Sequence, residues 1–316
     1  MSFSISSSYN KLRAVVDSTP NDALPSLSNL KKAEDSLPSS LPVSGLGEAA
    51  TETHLLTDLT PGFNGPKTSS NYYGFVTGGV LPIAEVADNI VTAFDQNVQV
   101  HLSDQSIATA VEDRALSMLV ELLNLGDGWN GKTFTTGATG ANILGLACGR
   151  EAVVDARLKA VGESGGVGEL GLLGACLRAG IREIQVLTTM GHSSLYKAAS
   201  VVGIGRASVR DIATSKDEPW KLDVDVLERQ LKGAKEGVVS IVALSMGEVN
   251  TGRFATDGLE TMKRVREVCD RYGAWLHVDG GRSRANPRLE NYHQTDLEKL
   301  SGYLHDACLP QPSFAH

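Results

Sequence analysis

The sequence predicts an α/β protein in which a mostly parallel sheet carries helices on both faces, and three observations support that expectation. From residue 139 to 279 short apolar strands alternate with helices in the β-α rhythm of parallel sheets. One strand, Ala274-Trp275-Leu276-His277-Val278-Asp279, ends in a single acid, which brings a carboxylate to the sheet rim where α/β proteins bind ligands. With 316 residues, 41% of them hydrophobic, the chain can bury a large core as one large domain or two smaller ones.

Residues 1–50 are rich in Ser, Pro and Asn, with helix-like turns at 9–16 and 27–36, and read as a loosely ordered arm. Residues 51–130 read as a helical segment. Ile83, Val86, Ala87, Ile90, Val91 and Phe94 recur at helical spacing over 82–99, with Pro82 suited to the first turn. Ala108, Val111, Ala115, Met118, Leu119 and Leu122 mark one face of a second helix over 107–125. Within 131–280, helices are expected at 139–161, 170–179, 193–202, 224–231 and 258–272. Strands are expected at 184–188, 207–212, 238–245 and 274–279. Residues 281–316 form an atypical tail, in which 280–288 read as neither helix nor strand.

A net charge of −8 argues against nucleic-acid and anionic-membrane partners. No apolar run reaches the roughly 18 residues of a membrane span, and no basic-then-apolar signal opens the chain. Cys148, Cys176, Cys269 and Cys308 are scattered without a C-x-x-C pair. That pattern suits reduced thiols in a cytoplasmic protein and points to no metal site.

Three glycine-rich segments compete as phosphate sites. Gly126-Asp127-Gly128-Trp129-Asn130-Gly131-Lys132-Thr133 matches the P-loop pattern. That mechanism needs a strand before the loop and a helix after it. Here a helix precedes and a β-like 133–136 follows, so a helix-to-strand turn fits better. Gly166-Val167-Gly168-Glu169-Leu170-Gly171 matches G-x-G-x-x-G, but no strand precedes it and no ribose-binding acid follows. A flexible loop leading into the helix over 170–179 is expected. Phe134-Thr135-Thr136-Gly137-Ala138-Thr139-Gly140-Ala141-Asn142 has the right context, a β-like segment, a small-residue turn and an apolar helix. Small residues let amides approach an anion at a helix N-terminus, where the dipole favours negative charge. An ordinary capped helix accounts for the local pattern equally well.

Together with the segments around it, this stretch resembles the group II amino-acid decarboxylases, which depend on pyridoxal 5′-phosphate (PLP) and have the fold-type-I large domain. Asn71-Tyr72-Tyr73-Gly74-Phe75-Val76-Thr77-Gly78-Gly79 is similar to the family's F-G-F-V-T-G-G segment, and residues 134–142 to its F-T-S-G-G-T-E-A-N phosphate loop. His192-Ser193-Ser194-Leu195-Tyr196-Lys197-Ala198-Ala199 resembles H-x-S-x-x-K-A-A, and Ser245-Met246-Gly247-Glu248-Val249-Asn250-Thr251-Gly252 the loop written G-T-T-x-x-G. His277-Val278-Asp279 resembles the family's H-V-D.

The resemblance implies a carboxy-lyase acting on an L-amino acid, with PLP as the electron sink for the pair left on Cα. It places Ala138, Thr139 and Gly140 on the phosphate, His192 over the ring as the catalytic candidate, Asn250 beside the cofactor, and Asp279 on the ring nitrogen. Holding that nitrogen protonated strengthens the sink. A helix cap is the plainer role for His192, and a helix cap or surface acid for Asp279. Glu248, like Asn250, sits just past a buried strand where ligand contacts concentrate, with a simple loop as its plainer role, and His101 stands near the family's substrate-side loop. His277 is expected to face away from Asp279 as a satisfied core histidine. Homodimers with active sites at the subunit interface are implied. The family's Schiff-base lysine, written H-K, has no match here. Lys299, the only lysine after Asp279, follows Glu298. The chain therefore reads as truncated before that lysine, with the C-terminal small domain missing and turnover impaired. A non-catalytic relic or dimer partner is the alternative, as is aldehyde-lyase or aminotransferase chemistry on the same fold.

Overall fold

The computed structural model describes residues 4–74, 79–123, 125–126, 128–213 and 215–280. Phe75–Gly78 of the first family-like segment, Asp127 of the P-loop-like one, Lys299 and the tail at 281–316 lie outside the described residues. The chain divides into two compact units between Asn97 and Val98.

In the N-terminal unit, α1 (Ile5–Ser18) and α2 (Leu27–Asp35) both start from serine caps. Ser4 accepts from the Ser7 N–H and Ser26 from the Asn29 N–H, each satisfying a donor that the helix itself leaves open. Helix α3 (Glu48–Thr53) runs into a π turn at His54–Leu59 and a 3-10 turn at Thr60–Gly62. Helix α4 (Pro82–Ala93) opens on its proline but ends before the expected residue 99, at a turn where Asp95 adopts φ 49°.

The second unit holds α5 (Ala108–Leu122), α6 (Ala138–Ala160) and α7 (Val167–Arg178), followed by the sheet. Strand β1 (Glu183–Thr188), α8 (Ser193–Val201) and β2 (Val209–Asp211) come first. Then follow α9 (Val224–Lys232), β3 (Val238–Ser245), α10 (Leu259–Arg271) and β4 (Trp275–Asp279). All pairings are parallel, in the order β2-β1-β3-β4. The chain leaves β1 for β2 on one side and returns to β3 on the other, which makes β1/β3 the switch point where such sheets bind ligands.

Alternation along the strands builds two cores. Ile184, Val186, Ile241 and Ala243 pack with α6, α7 and α8, whereas Leu187, Val242, Leu244 and Leu276 pack with α9 and α10. Helix α6 runs antiparallel to β4. Asn142, in its first turns, bonds Asp279 at the C-terminal end of the strand, and a Cβ on Gly149 would lie 2.7 Å from Trp275 at the other end. Its N-terminus therefore stands at the rim where the strands end.

The structure alters four local expectations. Residues 133–136 form no strand and are largely exposed, so β-branched threonines alone do not make one without a partner edge. Strand β2 is three residues long because Arg210 and Asp211 are exposed at the sheet edge, and Arg206–Ser208 before it form a 3-10 turn. The G-x-G-x-x-G segment is not a loop. Its Val167 begins α7, which kinks at Gly171 where φ is 68°. His277 does not face away from Asp279. Residues two apart share a strand face, and both side chains reach Asn142.

Candidate cofactor site at the C-terminal rim of the sheet

Asn142 is the centre of the rim. Only 2% exposed, it donates from Nδ2 to Asp279 Oδ2 (2.9 Å) and to Ser194 Oγ (3.0 Å), while its Oδ1 lies 2.7 Å from His277 Nε2. A carboxylate accepts only, so the edge facing Asp279 carries the amide hydrogens and the other edge is the oxygen. His277 must then donate from Nε2. Desolvation of its imidazole holds its pKa below the ordinary 6.5, against the opposing pull of Asp279, and keeps this donor neutral.

Sequence reading left two partners of this arrangement unassigned. Ser194, buried in the first turn of α8, accepts from Asn142, so its own hydroxyl hydrogen is available to His192 Nδ1 at 2.7 Å. His192 is the N-cap of α8, and its Nδ1 also accepts from the Ser194 backbone N–H at 3.2 Å. The capping role is thus real. With Nδ1 accepting, the ring proton sits on Nε2. Gly145 is the second omission. A Cβ there would fall 2.4 Å from His277 Cε1 and 2.5 Å from Nδ1, so only glycine lets the imidazole lie against α6. Asn142 was visible as the last residue of the phosphate-loop motif. Its partners lie 52 to 137 positions away in sequence, and no local pattern announces them.

Helix α6 starts at Gly137, with φ 139° and no side-chain cap. Thr135 Oγ1 donates to the Gly137 carbonyl, which shapes the turn. The first α6 backbone bond of this turn is donated by the Ala141 N–H to the Gly137 carbonyl. The N–H groups of Ala138, Thr139 and Gly140 are therefore open donors at the positive end of a long helix. Ala138 and Thr139 are exposed.

The other sequence-based candidates have different surroundings. Glu248, 3% exposed, folds its own loop. Its Oε1 accepts from the Asn250 N–H and Nδ2, and its Oε2 from the Thr251 N–H and hydroxyl. Asn250 follows β3 in that loop and is held by Glu248 through its N–H and Nδ2. Met246, at the start of the loop, donates its N–H to the Asp279 carbonyl, which ties the loop to the end of β4. His101 bonds Thr109 at the start of α5. Lys132 of the P-loop-like segment pairs with Asp113 on α5 at 3.0 Å, and no helix follows it directly. At the start of α7, Glu151 Oε2 already accepts from the Val167 N–H at 3.1 Å. No cluster able to hold a metal ion occurs among the described residues, and no described helix is long and apolar enough to cross a membrane.

The donor set fits PLP. Open amides and a hydroxyl at a helix N-terminus match a phosphate, a carboxylate at the rim matches a protonated ring nitrogen, and His192 supplies a planar face. When bound, the cofactor delocalises the electron pair released as a bond to Cα breaks.

Known proteins share this architecture. The profile described as "Pyridoxal-dependent decarboxylase conserved domain" matches residues 71–283. The chain is 26% identical over 203 residues to L-2,4-diaminobutyrate decarboxylase of Acinetobacter baumannii, covering 63% of this chain and 37% of that protein. It is 26% identical over 266 residues to tryptophan decarboxylase 1 of Oryza sativa subsp. japonica, covering 82% and 49%. A crystal structure of Oryza sativa TDC with PLP and tryptamine superposes with a TM-score of 0.64 at 23% identity, over 93% of this chain and 59% of that one. The chain therefore spans less than half the length of these two curated relatives.

Proposed function

Because the chain belongs to the pyridoxal-dependent decarboxylase family, with PLP as its cofactor and the fold-type-I large domain, we propose that its rim holds that cofactor for removal of the α-carboxylate of an L-amino acid. The observation that carries this reading is the convergence on one rim of the open α6 amides and the Asn142-held carboxylate of Asp279. The Ala138, Thr139 and Gly140 amides, with the Thr139 hydroxyl, bind the phosphate. Asp279 accepts a hydrogen bond from the ring nitrogen and keeps it charged. His192, fixed through Nδ1, covers the ring face and presents Nε2–H as a donor. Asn250 closes the cofactor side from the β3 loop. A homodimer is part of the proposal, as the family's architecture implies.

The test is release of labelled CO₂ from a panel of carboxyl-labelled L-amino acids, with and without added PLP. Because the family's Schiff-base lysine has no match in this sequence, slow, impaired PLP-dependent release that Asp279→Ala abolishes is expected. PLP binding without release from any substrate would instead favour a non-catalytic dimer partner. Absence of both would refute the reading.

A further inference from the structure

We propose that Asn142 is a positioning residue that locks Asp279, Ser194, His192 and His277 into one bonded unit, so that the ring-nitrogen carboxylate and the ring-face histidine are oriented together. The inference rests on the PLP reading for its consequence in binding, though the unit itself is a property of the chain alone.

The proton inventory allows one arrangement. His277 Nε2–H donates to Asn142 Oδ1, and the two Nδ2 hydrogens of Asn142 go to Asp279 Oδ2 and Ser194 Oγ. The hydroxyl of Ser194 then donates to His192 Nδ1, which also accepts the Ser194 N–H. Each donor in the series faces one acceptor. Reversing the Asn142 amide would set its oxygen against the Asp279 carboxylate and its NH₂ against the His277 donor. Asn142 and Ser194 are each 2% exposed, so water does not readily replace a lost partner. The unit joins α6, α8 and β4, three elements that bring their chemistry to the rim from separate parts of the sequence.

Asparagine is also the side chain this position requires. Aspartate keeps the shape and the acceptor for His277 but loses the donor to Asp279 and adds a like charge beside it. Alanine leaves His277 and Asp279 without their shared partner. Serine cannot span both edges.

The experiment combines nitrogen-correlated NMR of the histidine rings in the PLP-free chain with PLP titration of the same samples. In the wild type both His192 and His277 should show the Nε2–H tautomer. Asn142→Asp should retain that tautomer at His277, disturb His192 through the lost Ser194 bond, and weaken PLP binding by about tenfold or more, the usual scale for one hydrogen bond to a charged group. Ser194→Ala should release the His192 tautomer while His277 stays unchanged. That separation is one that a general loss of packing would not produce. The proposal is overturned if Asn142→Asp leaves the His192 signals and PLP affinity as in the wild type, or if Ser194→Ala disturbs both histidines equally. Should the wild-type chain fail to bind PLP, the cofactor reading falls, and the tautomer patterns still decide whether the unit exists.

Discussion

Helices α6 and α7 begin alike and end up with different work. Each starts from a glycine, Gly137 or Gly166, each is rich in small residues, and each lies on the same face of the sheet. At α7 the chain supplies its own anion, because the Glu151 carboxylate of α6 already accepts from the Val167 amide. At α6 nothing in the described chain does so, and the first amides stay open beside Asp279 at the strand ends. Their interior glycines differ in the same way. A Cβ on Gly145 of α6 would collide with His277, whereas one on Gly174 of α7 would meet only Leu170 Cβ at 3.8 Å. A glycine-rich helix start is therefore a candidate anion site only where the fold leaves its amides open and places chemistry opposite them.

The strongest way to break the comparison is to add one methyl group to each helix. Gly145→Ala should cost about 1–3 kcal/mol in urea unfolding, since the added Cβ overlaps the imidazole and pushes it from its bond to Asn142. Gly174→Ala should instead stabilise by about 0.5–1 kcal/mol, the ordinary gain of alanine over glycine in a helix interior. Equal effects would show that the α6 contact is not specific.

A smaller effect is expected from the α7 cap. Glu151→Ala removes the acceptor for Val167, and a loss of about 1 kcal/mol in the same assay is expected for a partly exposed capping bond. The cap contributes nothing if the unfolding midpoint does not move.

The mildest prediction concerns pH. The folded chain holds His277 below its ordinary 6.5, so the unfolded chain binds more protons in acid. Stability contributed by the neutral ring is complete above pH 6.5 and declines as pH falls from there toward the depressed folded value. Replacing His277 by glutamine should flatten that part of the pH profile. An unchanged slope would assign the acid sensitivity to other groups.

Much of this fold is legible in sequence. Strands β1, β3 and β4 are rich in Val, Ile and Leu that pack into both cores, and their bounds fall within one residue of expectation. Strand β2 was blurred because its last two residues are polar and exposed at the edge. Helix α1 extends well beyond the turn expected at 9–16, and its cap at Ser4 was available as a cue. The motif glycines and Asp279 could be picked out one by one, since each carries a local signature. The hub could not be. Asn142 and Ser194 look like ordinary polar residues until α6, α8 and β4 are packed together, and the need for glycine at 145 exists only once His277 lies against it.

The open end of α6, and not that of α7, is the one proposed to receive the phosphate of PLP. Titration of PLP into the intact chain, followed by quenching of tryptophan fluorescence, tests this assignment through two substitutions. Thr139→Glu places a carboxylate at the α6 amides, and Glu151→Ala removes the one at α7. Saturable binding should be retained in Glu151→Ala and weakened about tenfold or more in Thr139→Glu, as expected for like charges a few ångströms apart near a surface. Unchanged binding in Thr139→Glu, or no saturable binding in the wild type, would contradict it.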